Sequence, residues 1–218
     1  MVKIVFLGSG GGGNLKFIHT YFKTKNIEVV GVITDRKCGA LTFGVEKGIF
    51  SKEFSFNKSE KSDNEIIQEI TRLNPDIVIT NIHKILSESF VKSFSDKLIN
   101  LHYSYLPAFK GVIGMTPVDM AIKSNNSFVG TTCHYVNVEV DSGKTICQGF
   151  FNRRGVDNVY QSTFECGALT LLNGIYVHLD NASLVEIKIN DYLISPSVEG
   201  IDEELCTKIF KQLKDDTI

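Results

Sequence analysis

The sequence predicts an α/β protein: a Rossmann-like, mostly parallel twisted sheet with helices on both faces, an antiparallel C-terminal strand pair and a small C-terminal extension. Three observations carry that prediction. Short apolar runs alternate with segments of helical spacing through residues 2–102. The runs are continuous rather than alternating, as strands buried on both faces require. After Tyr103 the rhythm changes, and two strand-like runs follow one another across a turn-rich segment.

Taken in order, residues 2–7 read as the first strand, followed by glycines and a helical pattern over 14–24. Residues 28–35 make a second strand, a helix is expected from about Gly39 to Ile49, and 53–56 is a candidate third strand. The segment 62–74 opens with the capping candidates Ser62 and Asp63 and carries Ile66, Ile67 and Ile70 on one face. Strands at 76–80 and 97–102 flank a short helix at 87–94. A loop from Tyr103 to Met115 leads to a helix near 117–124. Residues 129–137 and 145–151 form the strand pair, joined through a turn at Glu139–Lys144, and 157–178 is helical. The expected organisation is one domain over 1–180 and an extension over 181–218. That extension holds a short strand at 183–189, Ser195-Pro196-Ser197, and a charged amphipathic end at 203–216.

Composition excludes several classes. With 218 residues, 43% hydrophobic and 22% charged, the chain is an ordinary globular one. A formal net charge of −2 makes no electrostatic case for nucleic acid or a membrane surface. No apolar run approaches the ~20 residues of a membrane span, and the N-terminus is too short in apolar residues for a signal peptide. Five scattered cysteines (Cys38, Cys133, Cys147, Cys166, Cys206) suggest neither a disulfide framework nor a zinc site. No metal is expected, and the cytoplasm is the expected location.

Two places carry chemistry. Gly8-Ser9-Gly10-Gly11-Gly12-Gly13 stands between the first strand and a helix, where glycines let backbone N–H groups surround an anion. The run also satisfies G-x-G-x-x-G, with Asp35 closing the second strand, so an NAD(P)-dependent oxidoreductase competes. The second place is Asn100-Leu101-His102 at a strand end, where alternation points an amide and an imidazole to the same side. Asp141-Ser142-Gly143, a turn sequence, offers a carboxylate that would complete an acid–base set.

These residues resemble the formyltransferase family that uses 10-formyltetrahydrofolate. The resemblance rests on the loop ending Gly12-Gly13-Asn14-Leu15, on His83-Lys84-Ile85-Leu86-Ser87, and on Asn100-x-His102-x-Ser104-x-Leu106-Pro107. Gly111, Gly130-Thr131, His134, Asp141-x-Gly143 and Gln148 follow in family order, to about residue 150. The branch acting on glycinamide ribonucleotide is the most similar. The resemblance implies Asn100, His102 and Asp141 as the catalytic set. It implies Gly12, Gly13 and Asn14 on the acceptor's phosphate, with Glu165 on its ribose or amine portion. His83, Lys84, Ile85, Leu86 and Val140 would line the folate pocket, and His134 would support the site. The implied cosubstrate is 10-formyltetrahydrofolate; the implied partner is a phosphorylated or nucleotide-linked amine, and a homodimer is compatible with the sequence.

Departures from the family pattern cluster on the acceptor side. Gly13 stands where a serine is usual, Lys84 where an arginine is, Tyr103 where a proline is, and Cys166 where a histidine is common. The stretch Gly111–Pro117 is a few residues longer than its counterpart. Formyltransferases of nucleotide-linked amino sugars share the trio and would suit His-Tyr-Ser-Tyr-Leu-Pro, so the acceptor stays open between glycinamide ribonucleotide and an amino sugar nucleotide. The folate hydrolases of the family carry a further N-terminal domain, whereas this sequence opens on its first strand. A catalytically silent binding protein is disfavoured by the complete trio.

Overall fold

The computed structural model describes residues 1–56, 59–179, 184–189 and 191–215. The chain divides into two compact units, Met1–Asn100 with Val136–Val138 and Leu101–Tyr135 with Glu139–Ile218.

In the first unit β1 (Val2–Gly8) is central because its residues Ile4 to Leu7 are fully apolar and buried. It pairs in parallel with β2 (Ile27–Thr34) on one side and β4 (Ile77–Asn81) on the other. β3 (Phe50–Glu53) adds to β2, and β5 (Leu98–His102) adds to β4, both parallel. The order is therefore β3-β2-β1-β4-β5. The crossovers are α1 (Gly13–Phe22), α2 (Gly39–Glu46), α3 (Glu60–Leu73) and α4 (Glu88–Ser93). On one side Ile66, Ile70, Phe90, Val91 and Phe94 pack against Val5, Leu7, Ile33, Val78 and Leu98. α3 begins earlier than its sequence suggests. Ser59 is the cap, accepting from the Ser62 N–H, and Ser62 and Asp63 fall inside the first turn. β3 also lies earlier than expected, ending at Glu53, while Phe54 beyond it joins the core.

The second unit carries α5 (Thr116–Lys123) and an antiparallel sheet. β6 (Phe128–Tyr135) pairs with β7 (Thr145–Asn152), as the sequence predicts. The pair is then extended, because β9 (Tyr192–Val198) adds to β7 and β8 (Leu184–Ile189) to β9, both antiparallel. Ser183, expected to open that strand, lies outside the described residues, as does Asp216 at the end of the last helix. α6 (Val159–His178) covers β6, β7 and β9. Small residues on α6 permit close packing: a Cβ at Gly174 would sit 2.3 Å from Cys133 Sγ. Fully buried Asn173 anchors β9 to α6, its Oδ1 accepting from the Val198 N–H at 2.9 Å and the Ser197 hydroxyl at 3.2 Å. α7 (Glu203–Asp215) buries Cys206, Ile209 and Phe210, with Phe210 edge-on to Phe164.

All five cysteines are free thiols, four of them buried. Among the described residues no helix is long and apolar enough to cross a membrane.

Candidate active site

The glycine loop has a defined shape. Gly12 caps α1 with φ of 78°, and a Cβ there would lie 2.9 Å from the Ala40 Cα. The loop is tied to α2 by the Ala40 N–H donating to the Gly10 carbonyl at 3.0 Å. No side chain caps the first turn of α1 and no acidic residue sits in it, so its N–H groups suit an anion. Asn14 is buried in that turn and its amide reaches Asn81.

Ser9, unmarked in the sequence, joins this loop to the expected folate segment. Its buried hydroxyl accepts from the His83 backbone N–H at 2.7 Å. His83, Lys84 and Ile85 are exposed, whereas Leu86 packs on the apolar core of the first unit. Asp35, which a dinucleotide site would aim at a ribose, has a side chain only 1% exposed and grips Arg36 at 2.6 Å. Burial opposes its charge, but hydrogen bonds from Arg36 and Ser9 hold its carboxyl below the usual range.

Asn100 and His102 occupy alternate positions of β5 and so share a side. The Thr80 hydroxyl lies 2.9 Å from Asn100 Oδ1, which orients the amide with its N–H end as the donor. Thr80 reads in sequence as one more strand residue; its role is visible only from the register of β4 on β5.

Around Asp141 the second unit gathers two imidazoles. His102 Nδ1 lies 3.4 Å from Asp141 Oδ2, and His134 Nε2 lies 3.6 Å from Oδ1. The Gly111 N–H donates to Oδ2 at 2.8 Å. The other ring nitrogens face backbone carbonyls: His102 Nε2 the Phe109 oxygen at 3.2 Å, His134 Nδ1 the Tyr135 oxygen at 2.8 Å. A carbonyl can only accept, so His102 Nε2 carries hydrogen. Neutral His102 then turns its Nδ1 lone pair toward Asp141, so a proton reaching this ring is shared with the carboxylate. Phe109 and Asp141 both hold positive φ, 56° and 51°, a conformation uncommon outside glycine and concentrated at functional sites. Val140, one residue earlier, is 39% exposed.

Burial dominates the His102 ring and drives its pKa below the ordinary histidine value, with Asp141 and the Phe109 carbonyl opposing and His134 adding to the shift. For Asp141 burial favours the neutral acid. The His134 hydrogen bond, the Gly111 N–H and His102 outweigh it, leaving the carboxyl below its usual range.

A stability prediction follows. Below about pH 6.5 the unfolded chain protonates His102 while the folded chain still resists, so the unfolded state binds more protons and stability falls as pH drops. Asp141 adds its own loss only below about pH 4. The melting temperature of His102→Asn should therefore depend less on pH between 6.5 and 5 than that of the parent. A residual slope remains from His19, whose pKa burial also lowers. Equal slopes in the two proteins would refute the assignment.

Glu165 lies on α6, its Oε1 accepting from Gln161 at 2.9 Å and its Oε2 from the Tyr192 hydroxyl at 2.7 Å. The structure thus gathers His102, Asp141 and His134, and ties the glycine loop to residues 83–86 through Ser9.

The family model described as formyl transferase matches residues 2–152. Phosphoribosylglycinamide formyltransferase of Escherichia coli is 33% identical over 156 residues, covering 67% of this chain and 71% of that protein. A chloroplastic relative of that name from Arabidopsis thaliana is 30% identical over 156 residues, 67% of this chain but only about half, 53%, of that protein. Formyltetrahydrofolate deformylase of Haemophilus influenzae is 35% identical over 101 residues, 46% of this chain and 34% of its own. In fold, glycinamide ribonucleotide transformylase 1 from Symbiobacterium toebii superposes with a TM-score of 0.74 at 20% identity, over 85% of this chain and 91% of that one.

Proposed function

The chain belongs to the formyl transferase family, and from that premise we propose that it moves a formyl group from 10-formyltetrahydrofolate to a primary amine. The observation that carries the reading is the Asp141 carboxylate set between His102 and His134. Formyl transfer to an amine passes through a tetrahedral intermediate, which needs a donor for the oxyanion and a carrier for one proton. Asn100 donates to the oxyanion through its N–H end. The attacking amine bonds to the formyl carbon and becomes cationic; its proton passes to the His102–Asp141 pair. His102, low in pKa and neutral at rest, becomes an imidazolium beside the oxyanion. The oxyanion collapses, the bond to the folate nitrogen breaks, and that nitrogen takes the proton.

His83, Lys84, Ile85 and Val140 hold the folate, with Leu86 fixing the segment from below. Gly12, Gly13 and Asn14 hold a phosphate of the acceptor, and Glu165 a hydroxyl or amine. Glycinamide ribonucleotide is the preferred acceptor, because a capless helix end behind a glycine loop suits a single terminal phosphate. The amino sugar nucleotide stays as the second reading on account of Tyr103, whose ring fills the space over Gly167, where a Cβ would be 2.8 Å from it. A direct comparison separates them. Given 10-formyltetrahydrofolate, the enzyme should formylate glycinamide ribonucleotide faster than dTDP-linked amino sugars. The reverse preference would move the acceptor to the second reading, and formate release without an amine would point to hydrolysis.

A further inference from the structure

We infer that Tyr192 is a positioning residue that holds the Glu165 carboxylate for the acceptor, so that β9 contributes to acceptor binding. Both carboxylate oxygens are capped, yet by neutral donors: the Gln161 amide one helical turn earlier and the Tyr192 hydroxyl. Among the described residues Glu165 takes part in no ion pair. A half-buried carboxylate without a cation is a poor stabilising device, since its desolvation is not offset by an opposite charge. What the two donors do is fix its rotamer while leaving further carboxylate lone pairs for an incoming amine or hydroxyl.

Tyr192 is built to remain the donor. It is 5% exposed and packs edge-on against Phe151 at 5.7 Å. Burial and the adjacent Glu165 push its hydroxyl well above the ordinary tyrosine range, so it keeps its proton at every working pH. The strand that carries it is fixed at its far end by Asn173, through Ser197 and Val198. β9 therefore reaches Glu165 through the Tyr192 hydroxyl.

The inference rests on the reading that Glu165 touches the acceptor, and the test separates the two. Tyr192→Phe keeps the ring against Phe151 and deletes only the hydroxyl. Steady-state kinetics of the intact enzyme should show the acceptor KM raised about five- to tenfold, with kcat at saturating acceptor and the folate KM unchanged. Glu165→Gln, measured beside it, should raise the acceptor KM at least as much. An unchanged acceptor KM in Tyr192→Phe, with a raised one in Glu165→Gln, would overturn the positioning role and leave the Glu165 reading intact. An unchanged acceptor KM in Glu165→Gln would overturn the Glu165 reading and the inference with it. A parallel loss in kcat and both KM values in Tyr192→Phe would mark the tyrosine as merely structural.

Discussion

Asp141→Asn should lower formyl transfer by about two to four orders of magnitude, the range spanned by loss of a positioned acid–base group. The substitution is well suited to isolating chemistry from folding. Asn matches Asp in shape and, like Asp, tolerates the left-handed backbone that residue 141 holds at φ 51°. Asn Oδ1 can still accept from the Gly111 N–H, as Asp141 Oδ2 does. What is lost is the charge facing His102 and His134, and with it the ability to share the amine's proton. Turnover with 10-formyltetrahydrofolate and an amine measures the first effect; the circular dichroism melt measures the second, and it should move little. His102→Ala should be comparably slow, and the double variant no slower than the worse single one, because residues acting as a unit are not additive. A variant at position 141 with near-parental turnover would remove the carboxylate from the mechanism.

The second large effect is at the glycine loop. Gly12→Ala should destabilise the protein by about 1–2 kcal/mol through the left-handed backbone. A further ~1–3 kcal/mol comes from forcing a methyl group into packed structure. The obstacle is backbone: the Cα of Ala40 at 2.9 Å and its nitrogen at 3.2 Å, neither of which can rotate away. Gly10→Ala is the control, since a Cβ there meets nothing within 4 Å. The expected result is a clear drop in melting temperature and in affinity for a phosphorylated acceptor for Gly12→Ala, and near-parental behaviour for Gly10→Ala. Equal melting temperatures for the two variants would mean the loop does not hold the shape described.

The first unit was legible because its strands are buried on both faces. Ile4 to Leu7 and Ile77 to Ile79 are continuous apolar runs that permit no other reading. β3 was displaced because it is an edge strand with mixed exposure, and the most buried side chain nearby, Phe54, lies just outside it. β9 was unread because Pro196 interrupts the pattern that would mark a strand. At the candidate site, His102 and Asp141 were singled out by their residue types together with the family resemblance, and the strand register accounts for Thr80 on Asn100. Three of the cluster's hydrogen-bond partners had no signature at all. They are backbone atoms, the carbonyls of Phe109 and Tyr135 and the N–H of Gly111, and any residue could supply them. Tyr192 escaped for a related reason: its partner Glu165 is 27 residues away on another element.

The chain is proposed to pass a formyl group from folate directly to an amine, with the His102–Asp141 pair carrying the proton. The most direct test of this transfer is the fate of an isotopically labelled formyl group when the protein is mixed with labelled 10-formyltetrahydrofolate and glycinamide ribonucleotide. The label should appear in the formylated amine, with the folate released as tetrahydrofolate, and the transfer should fail with Asp141→Asn. Label that stays on the folate with every amine acceptor offered, or that leaves only as formate, would contradict it.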